Sequence, residues 1–361
     1  MEKKKQKKIY IEFIRIIASF FVIFNHTMER GFFLFASYPE NSIQYWLYMF
    51  LSVFCKFSVP MFFAISGALL LSKDESIKEL YKKRVLKMVL VLLFFSFLYY
   101  LRSILDNLSA FSLKHFIEEF SISNWNFTFW YLYAFIPFLM SLPFLRVLAK
   151  NMKIEQFHYL FVCALLFKAV IPVAEYLIWQ GNETFNSNIR TLWITTDIFL
   201  YPLLGYYLEH KVDILKVKKW IVPLWSINIF TIIVTCLLTY YRIKITGVCE
   251  ENASQVFYGC FTLINITTIY ISVKYYFEIH SLKEPIKKLI ESVGGASFGI
   301  YLVHLLFLDL FPVVPRVWRI LEAVLGANSM FSALIVCVIV MVMSYFATLI
   351  MKKLPILRKL L

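Results

Sequence analysis

A chain of 361 residues that is 60% hydrophobic and 19% aromatic, with a mean hydropathy of +0.70, carries more apolar surface than one soluble core of that size can hide. That excludes an ordinary soluble globular protein and leaves an integral membrane protein. The net charge of +14 would point to nucleic acid in a soluble chain, but here the placement of the basic residues decides against it.

Apolar runs long enough to cross a hydrocarbon core of about 30 Å fall at 9–29, 45–71, 85–105, 127–148, 157–178, 193–209, 219–241, 256–276, 294–313 and 329–351. The expected fold is therefore all-α, a polytopic membrane helix bundle of about ten transmembrane helices in a single domain over 1–361. No soluble domain, long linker or internal repeat is expected. The first run follows MEKKKQKK as the apolar part of a signal peptide would. It lacks a small-residue cleavage site and charge interrupts it, so it is read as a retained helix.

With the N-terminus in the cytoplasm, the segments 1–8, 72–87, 146–156, 210–219, 274–288 and 352–359 face inward and hold 26 of the 37 Lys and Arg residues. The outward segments hold 8, and Arg15, Lys56 and Lys168 remain inside the runs. That asymmetry predicts both termini on the cytoplasmic side. The basic charge then records topology, not a nucleic-acid surface.

The first run, IEFIRIIASFFVIFNHT over 11–27, carries Glu12, Arg15 and His26. Charge at membrane depth costs a few kcal/mol per residue, so such groups pair with one another or line a wet cavity. Arg15 and His26 lie three helical turns apart, about 16 Å along one face. Glu12, one turn before Arg15, shares that face and can pair with it. This pattern fits a cavity crossing much of the membrane. It also fits an interfacial Glu12–Arg15 pair with His26 closing the far end of the helix. Histidine titrates near neutrality and can take a proton from a hydroxyl.

Further polar residues interrupt the later runs. Lys56 precedes FSVPMFFAISGALLL, where Pro60, Ser66 and Gly67 permit a kink or close packing. Between the third and fourth runs, NLSAFSLKHFIEEFSISNW is amphipathic and suits the outer leaflet surface. Lys168 and Glu175 share a face of the fifth run and are expected to neutralise each other. Asp197 lies in the outer half of the sixth. His304 lies near the middle of the ninth, one turn after Tyr301, where either a packing role or a chemical one is open. Aromatic residues, among them Trp130 and Tyr131, crowd the outer surface as an interfacial belt or as platforms for sugar rings. Six cysteines are scattered without metal-ligand spacing, so no metal site is expected. Cys249 and Cys260 fall near the outer face and are expected to be free thiols.

Taken in order, these segments resemble the membrane-bound acyltransferase family 3, which includes bacterial O-acetyltransferases of cell-surface polysaccharides. The acidic residue, Arg three later and His after ten more match Glu12, Arg15 and His26. KFSVPMFFAISGALLL from Lys56, YKKRVLK with Lys83, Arg84 and Lys87, and FWYL at 129–132 match further segments. YPLLGYYL at 201–208 and SFGIYLVH at 297–304 complete the order. The chain departs from the pattern in Glu12, where Asp is common, and in a basic cluster that is partly Lys. A His that often precedes the Trp motif is replaced near Thr128–Phe129, and no extracellular hydrolase-like domain is expected.

The resemblance implies an enzyme of the bacterial inner membrane, whose partners are the bilayer, an acyl-CoA and a glycan. It would move an acyl group, usually acetyl, from cytoplasmic acetyl-CoA to a hydroxyl of a lipid-linked or surface glycan. No permanently bound cofactor is implied. His26 would act as general base or as a transient acyl carrier, with Arg15 and Glu12 beside the donor. Lys83, Arg84 and Lys87 would hold the nucleotide end of CoA. Trp130, Tyr131, Lys56, Ser66 and His304 would contact substrate, and Asn25, Ser66 and Lys56 are oxyanion donors by residue type. The alternative reading is a transporter of polysaccharide or of a small polar solute, for which intramembrane Arg, Lys, Asp and His are equally suited.

Overall fold

The computed structural model describes residues 8–105, 107–249, 257–310, 313–326 and 328–361. The basic run at residues 1–7 lies outside them. Among the described residues all regular structure is helical, and each of the ten expected segments contains a helix. Six helices among the described residues are long and apolar enough to cross a membrane: Ile43–Leu70, Ile77–Ser103, Phe127–Asn151, Ile154–Trp179, Ile214–Thr246 and Met330–Met351. The pair Glu284–Gly294 and Ser297–Leu308, bent by 51°, makes a seventh if counted as one span. The chain is therefore a multi-pass membrane protein, with fewer stand-alone apolar spans than the ten expected.

The shortfall has a physical cause. The helices α1 (Ile9–Asn25) and α2 (Asp197–His210) are only 17 and 14 residues long. The helix α3 (Thr262–Ile279) carries Asn265, Lys274 and Glu278, which lower its hydropathy. All three sit inside the bundle, where neighbouring helices rather than lipid surround them, so polar groups on them find protein partners. The helix α1 is the hub. It packs against Ile43–Cys55, Ser58–Leu70, Glu284–Gly294, Ser297–Leu305, Met330–Met351 and α3.

The second span is broken at Lys56–Phe57, between Ile43–Cys55 and Ser58–Leu70. Its second half makes the most extensive helix–helix contact in the molecule, with α2. Two glycines make that approach possible. A Cβ on Gly67 would collide with the backbone of Pro202, and one on Gly205 with the backbone of Ala64. Such reciprocal small residues let backbones meet where lipid offers no hydrophobic drive for association.

The segments expected to face inward gather at one end of the bundle. Lys8, Tyr10, Tyr270 and Lys274 all converge on the carboxylate of Glu209. Arg84 and Arg146 share Glu75, and Lys352 donates to the carbonyl of Gly295 at 2.8 Å. At the other end Lys244 pairs with Glu40 at 2.6 Å, and Arg30 lies over Trp318. The amphipathic stretch forms the helix Leu113–Ile122, whose Leu113, Ile117 and Ile122 are exposed. All six cysteines are free, Cys249 and Cys260 included.

Candidate functional site

The site is built on the two ends of α1. At its first turns Arg15 Nη1 donates to Glu12 Oε1 at 2.8 Å, the helical partnership expected from their spacing. Glu12 is buried and its second carboxylate oxygen has no hydrogen-bonding partner among the described residues. The helix Glu284–Gly294 comes close here because Gly294 has no side chain. A Cβ there would lie 2.6 Å from the Cβ of Glu12. Arg15 lines a cavity of about 310 Å³ together with Ser66, Met88, Phe298 and Leu361.

At the far end of α1, His26 terminates the helix. It lines a second cavity, of about 450 Å³, with Asn25, Lys56, Thr128 and Trp130. The edge of Phe127 packs on its ring, centroids 5.3 Å apart. Behind it stands His304, 1% exposed, with Nε2 3.0 Å from His26 Nδ1. His304 Nδ1 in turn lies 2.6 Å from the carbonyl oxygen of Tyr301. A carbonyl can only accept, so the hydrogen-bond network assigns the proton of neutral His304 to Nδ1. Its Nε2 is then an acceptor, His26 donates through Nδ1–H, and the lone pair of His26 is on Nε2.

The two cavities abut. Val22, Val59, Tyr131 and Tyr301 line both of them. Four different helices therefore contribute one residue each to the boundary the two cavities share between Arg15 and His26. Tyr131 and Tyr301 meet edge to face across it, 5.5 Å between centroids, and the Tyr301 hydroxyl donates to the Thr128 carbonyl at 2.5 Å. Along the polar face of α1, where a passage was expected, the structure thus has two adjoining cavities, one at Arg15 and one at His26, with these four residues lining both.

The other residues singled out in the sequence divide between these chambers and places outside them. Trp130 and Lys56 line the His26 cavity, Tyr131 lines both, and Ser66 lines the Arg15 cavity, its hydroxyl donating to Phe62 O at 2.7 Å. Lys56 sits at the break of the second span with its ammonium 4.4 Å from the Phe32 ring centroid. His304 lines neither chamber and contacts His26 from behind. Lys83, Arg84 and Lys87 also line neither. Lys83 pairs with Glu79 at 2.9 Å on the surface. Arg84 binds Glu75 in a two-pronged contact, through Nε at 3.0 Å and Nη2 at 2.9 Å. Lys87 is next in sequence to Met88 of the Arg15 cavity.

One pairing differs from expectation. Lys168 does not neutralise Glu175. It binds Asp197 at 2.6 Å, while Glu175 takes Arg190 at 3.1 Å. The reason is a π turn at Leu166–Val170, which inserts an extra residue into the helical register and takes Lys168 off the face of Glu175. That Val22, Val59 and Tyr301 line both cavities was not legible in the sequence, since apolar and tyrosine residues in a membrane helix carry no signal of which cavity they border. Arg146 was read only as an inward charge, and its partnership with Glu75 depends on a contact between separate spans.

The comparisons with known proteins agree with this arrangement at the level of family. A family model described as an acyltransferase domain matches residues 8–349. No curated protein and no solved structure matches the chain. The matched region runs from the start of α1 into the last long helix, so it takes in Arg15, His26 and His304. On that match over nearly its whole length, the chain belongs to acyltransferase family 3.

Proposed function

We propose that this membrane acyltransferase moves an acetyl group from acetyl-CoA in the cytoplasm to a hydroxyl of a cell-envelope glycan, across the inner membrane of a bacterium. The observation that carries the proposal is His26, backed by His304, on the wall of a cavity that abuts the Arg15 cavity. The gathering of the basic segments at the Arg15 end supports a cytoplasmic orientation for that end and for both termini.

In this reading the donor enters the Arg15 chamber, where the guanidinium meets a CoA phosphate or the pantetheine arm. Lys83 and Lys87 meet the nucleotide phosphates. The surface pair Lys83–Glu79 is cheap to open, whereas Arg84 stays with Glu75. The thioester passes Tyr131 and Tyr301, which line both cavities, to reach His26.

His26 Nε2 takes the proton of the acceptor hydroxyl as the hydroxyl oxygen bonds to the thioester carbonyl carbon. The Asn25 amide and the Lys56 ammonium, on the same cavity wall, meet the developing oxyanion. Collapse of the tetrahedral intermediate breaks the carbon–sulfur bond. The CoA thiolate leaves with the proton held on Nε2, giving the ester, CoA-SH and neutral His26. His304 keeps the Nδ1–H tautomer throughout.

The test uses the purified full-length protein in detergent, labelled acetyl-CoA and a cell-envelope polysaccharide extract. Label transfer by the wild type and none by His26→Ala, with the variant still inserting and accumulating, is the expected result. Transfer that survives His26→Ala sinks the assignment of the base. Absence of transfer together with solute uptake in proteoliposomes favours the transporter reading. Initial-rate kinetics that are ping-pong rather than sequential replace the general base with an acyl-imidazole on His26.

A further inference from the structure

Two of the carboxylates that hold this bundle together, Glu209 and Glu75, are saturated. Glu209, with its side chain 4% exposed, receives Lys8, Tyr10, Tyr270 and Lys274. Glu75 receives Arg84 and Arg146, and its side chain is 10% exposed. Asp197 is different. Its side chain is 45% exposed, it lines the His26 cavity, and among the described residues only its Oδ1 is engaged, by Lys168 at 2.6 Å. Lys168 lines the same cavity and uses one of its three N–H donors on that bond. A second carboxylate oxygen and further ammonium donors are therefore left to whatever fills the chamber.

Both residues are held rigidly enough to present those groups. Asp197 opens α2 in its first turn, where the helix dipole favours a carboxylate. Lys168 lies on the π turn, an arrangement frequent at functional sites, and its ammonium is 5.7 Å from the Tyr201 ring centroid. The same wall carries Trp130, 47% exposed, and Phe127. An aromatic face beside a charge-neutral donor–acceptor pair is the chemistry that recognises a pyranose. The carboxylate accepts from one hydroxyl, the ammonium donates to its neighbour, and the ring's C–H face stacks on the indole. The chamber, at about 450 Å³, falls within the range of small-ligand sites.

We propose that Lys168 and Asp197 form the acceptor subsite, reading a vicinal diol of a neutral hexopyranose whose acylated hydroxyl reaches His26. This rests on the acyl-transfer reading only for the identity of the bound molecule as acceptor. The binding itself is measured separately.

The probes are the methyl glycosides of glucose, galactose and mannose, with methyl glucuronide as the anionic comparator, on the full-length protein in detergent. Saturation-transfer NMR reports binding and labelled acetyl-CoA reports KM. At least one neutral glycoside is expected to bind the wild type. Asp197→Asn and Lys168→Gln should each weaken that binding about tenfold to a hundredfold, the loss of a hydrogen bond to a charged group. The charge swap Lys168→Asp with Asp197→Lys rebuilds an ion bridge, so its melting temperature should return to that of the wild type while binding does not.

Unchanged binding in both single variants overturns the subsite. So does full recovery in the swap, which would make the pair a structural clamp, and so does preference for the glucuronide. Acetyl transfer that depends on His26 but is indifferent to both single variants removes the subsite and leaves the acyltransferase. Glycoside binding lost in the variants of a protein that transfers no acetyl keeps the subsite and removes the acyltransferase.

Discussion

His26 Nδ1 and His304 Nε2 lie 3.0 Å apart although 278 residues separate them in the chain. With His304 committed through its other nitrogen to the Tyr301 carbonyl, the pair fixes which nitrogen of His26 is free. Replacing His304 with Leu should therefore leave the imidazole present but unoriented. We expect kcat to fall about a hundredfold, the lower range of a general-base contribution, with little change in the KM of either substrate. His304→Gln retains an acceptor near the Nε2 position and should recover part of that loss. A KM that rises with kcat unchanged would instead make His304 a binding residue.

The Glu12–Arg15 pair makes a stability prediction separable from function. Glu12 is 5% exposed and Arg15 is its one hydrogen-bonding partner among the described residues. Arg15→Ala strands that carboxylate inside the bundle and should cost about 3 kcal/mol, as for other broken buried pairs. Adding Glu12→Gln removes the stranded charge, so the double variant should melt closer to wild type. It should still show a raised KM for acetyl-CoA, because no guanidinium remains in the cavity. Thermal unfolding in detergent and donor titrations check the two halves independently.

What the sequence revealed follows how far apart the interacting residues are. The Glu12–Arg15 pair was legible because both partners share one helix, where spacing alone sets the contact. His26 was legible for the same reason. Its partner was not, since nothing in a sequence window reports that the helix Ser297–Leu305 lies against the end of α1. Lys168 was assigned to Glu175 by straight-helix geometry, and the π turn that breaks this register leaves no composition signature. Each of the ten expected segments contains a helix, but among the described residues six helices are long and apolar enough to cross a membrane, or seven with the bent pair. Which of them face lipid depends on packing that hydropathy does not see, as the polar, enclosed α3 shows.

The crossing of Ser58–Leu70 with α2 predicts an asymmetry between small and large substitutions. Both Gly67 and Gly205 face backbone, which cannot rotate aside as a side chain would. Gly67→Ala should cost about 1–3 kcal/mol through overpacking. Gly67→Val and Gly205→Val should prevent accumulation of a monodisperse protein, read by fluorescence-detected size exclusion. Ser66→Ala, one residue away, should fold normally, because its hydroxyl bonds only to the carbonyl of Phe62 in its own helix.

The cluster of Glu75 with Arg84 and Arg146 gives the bundle an acid limit. Arg84 first, and Arg146 after it, hold the Glu75 carboxyl down to about 2 from its ordinary 4.5, against the opposing effect of burial. A carboxylate whose folded-state value is depressed stabilises the fold fully above its unfolded value and loses that contribution as the pH falls through the folded one. The contribution is therefore complete above about pH 4.5 and drains away between there and about pH 2. Glu75→Gln should lower the melting temperature at pH 7, since Arg146 is only 6% exposed and loses its counter-charge. The same variant should flatten the decline of melting temperature between pH 5 and 3, measured in detergent at constant ionic strength. If the decline keeps its wild-type slope, another carboxylate governs it, and Glu209, with its four partners at the same end of the bundle, is the next to substitute.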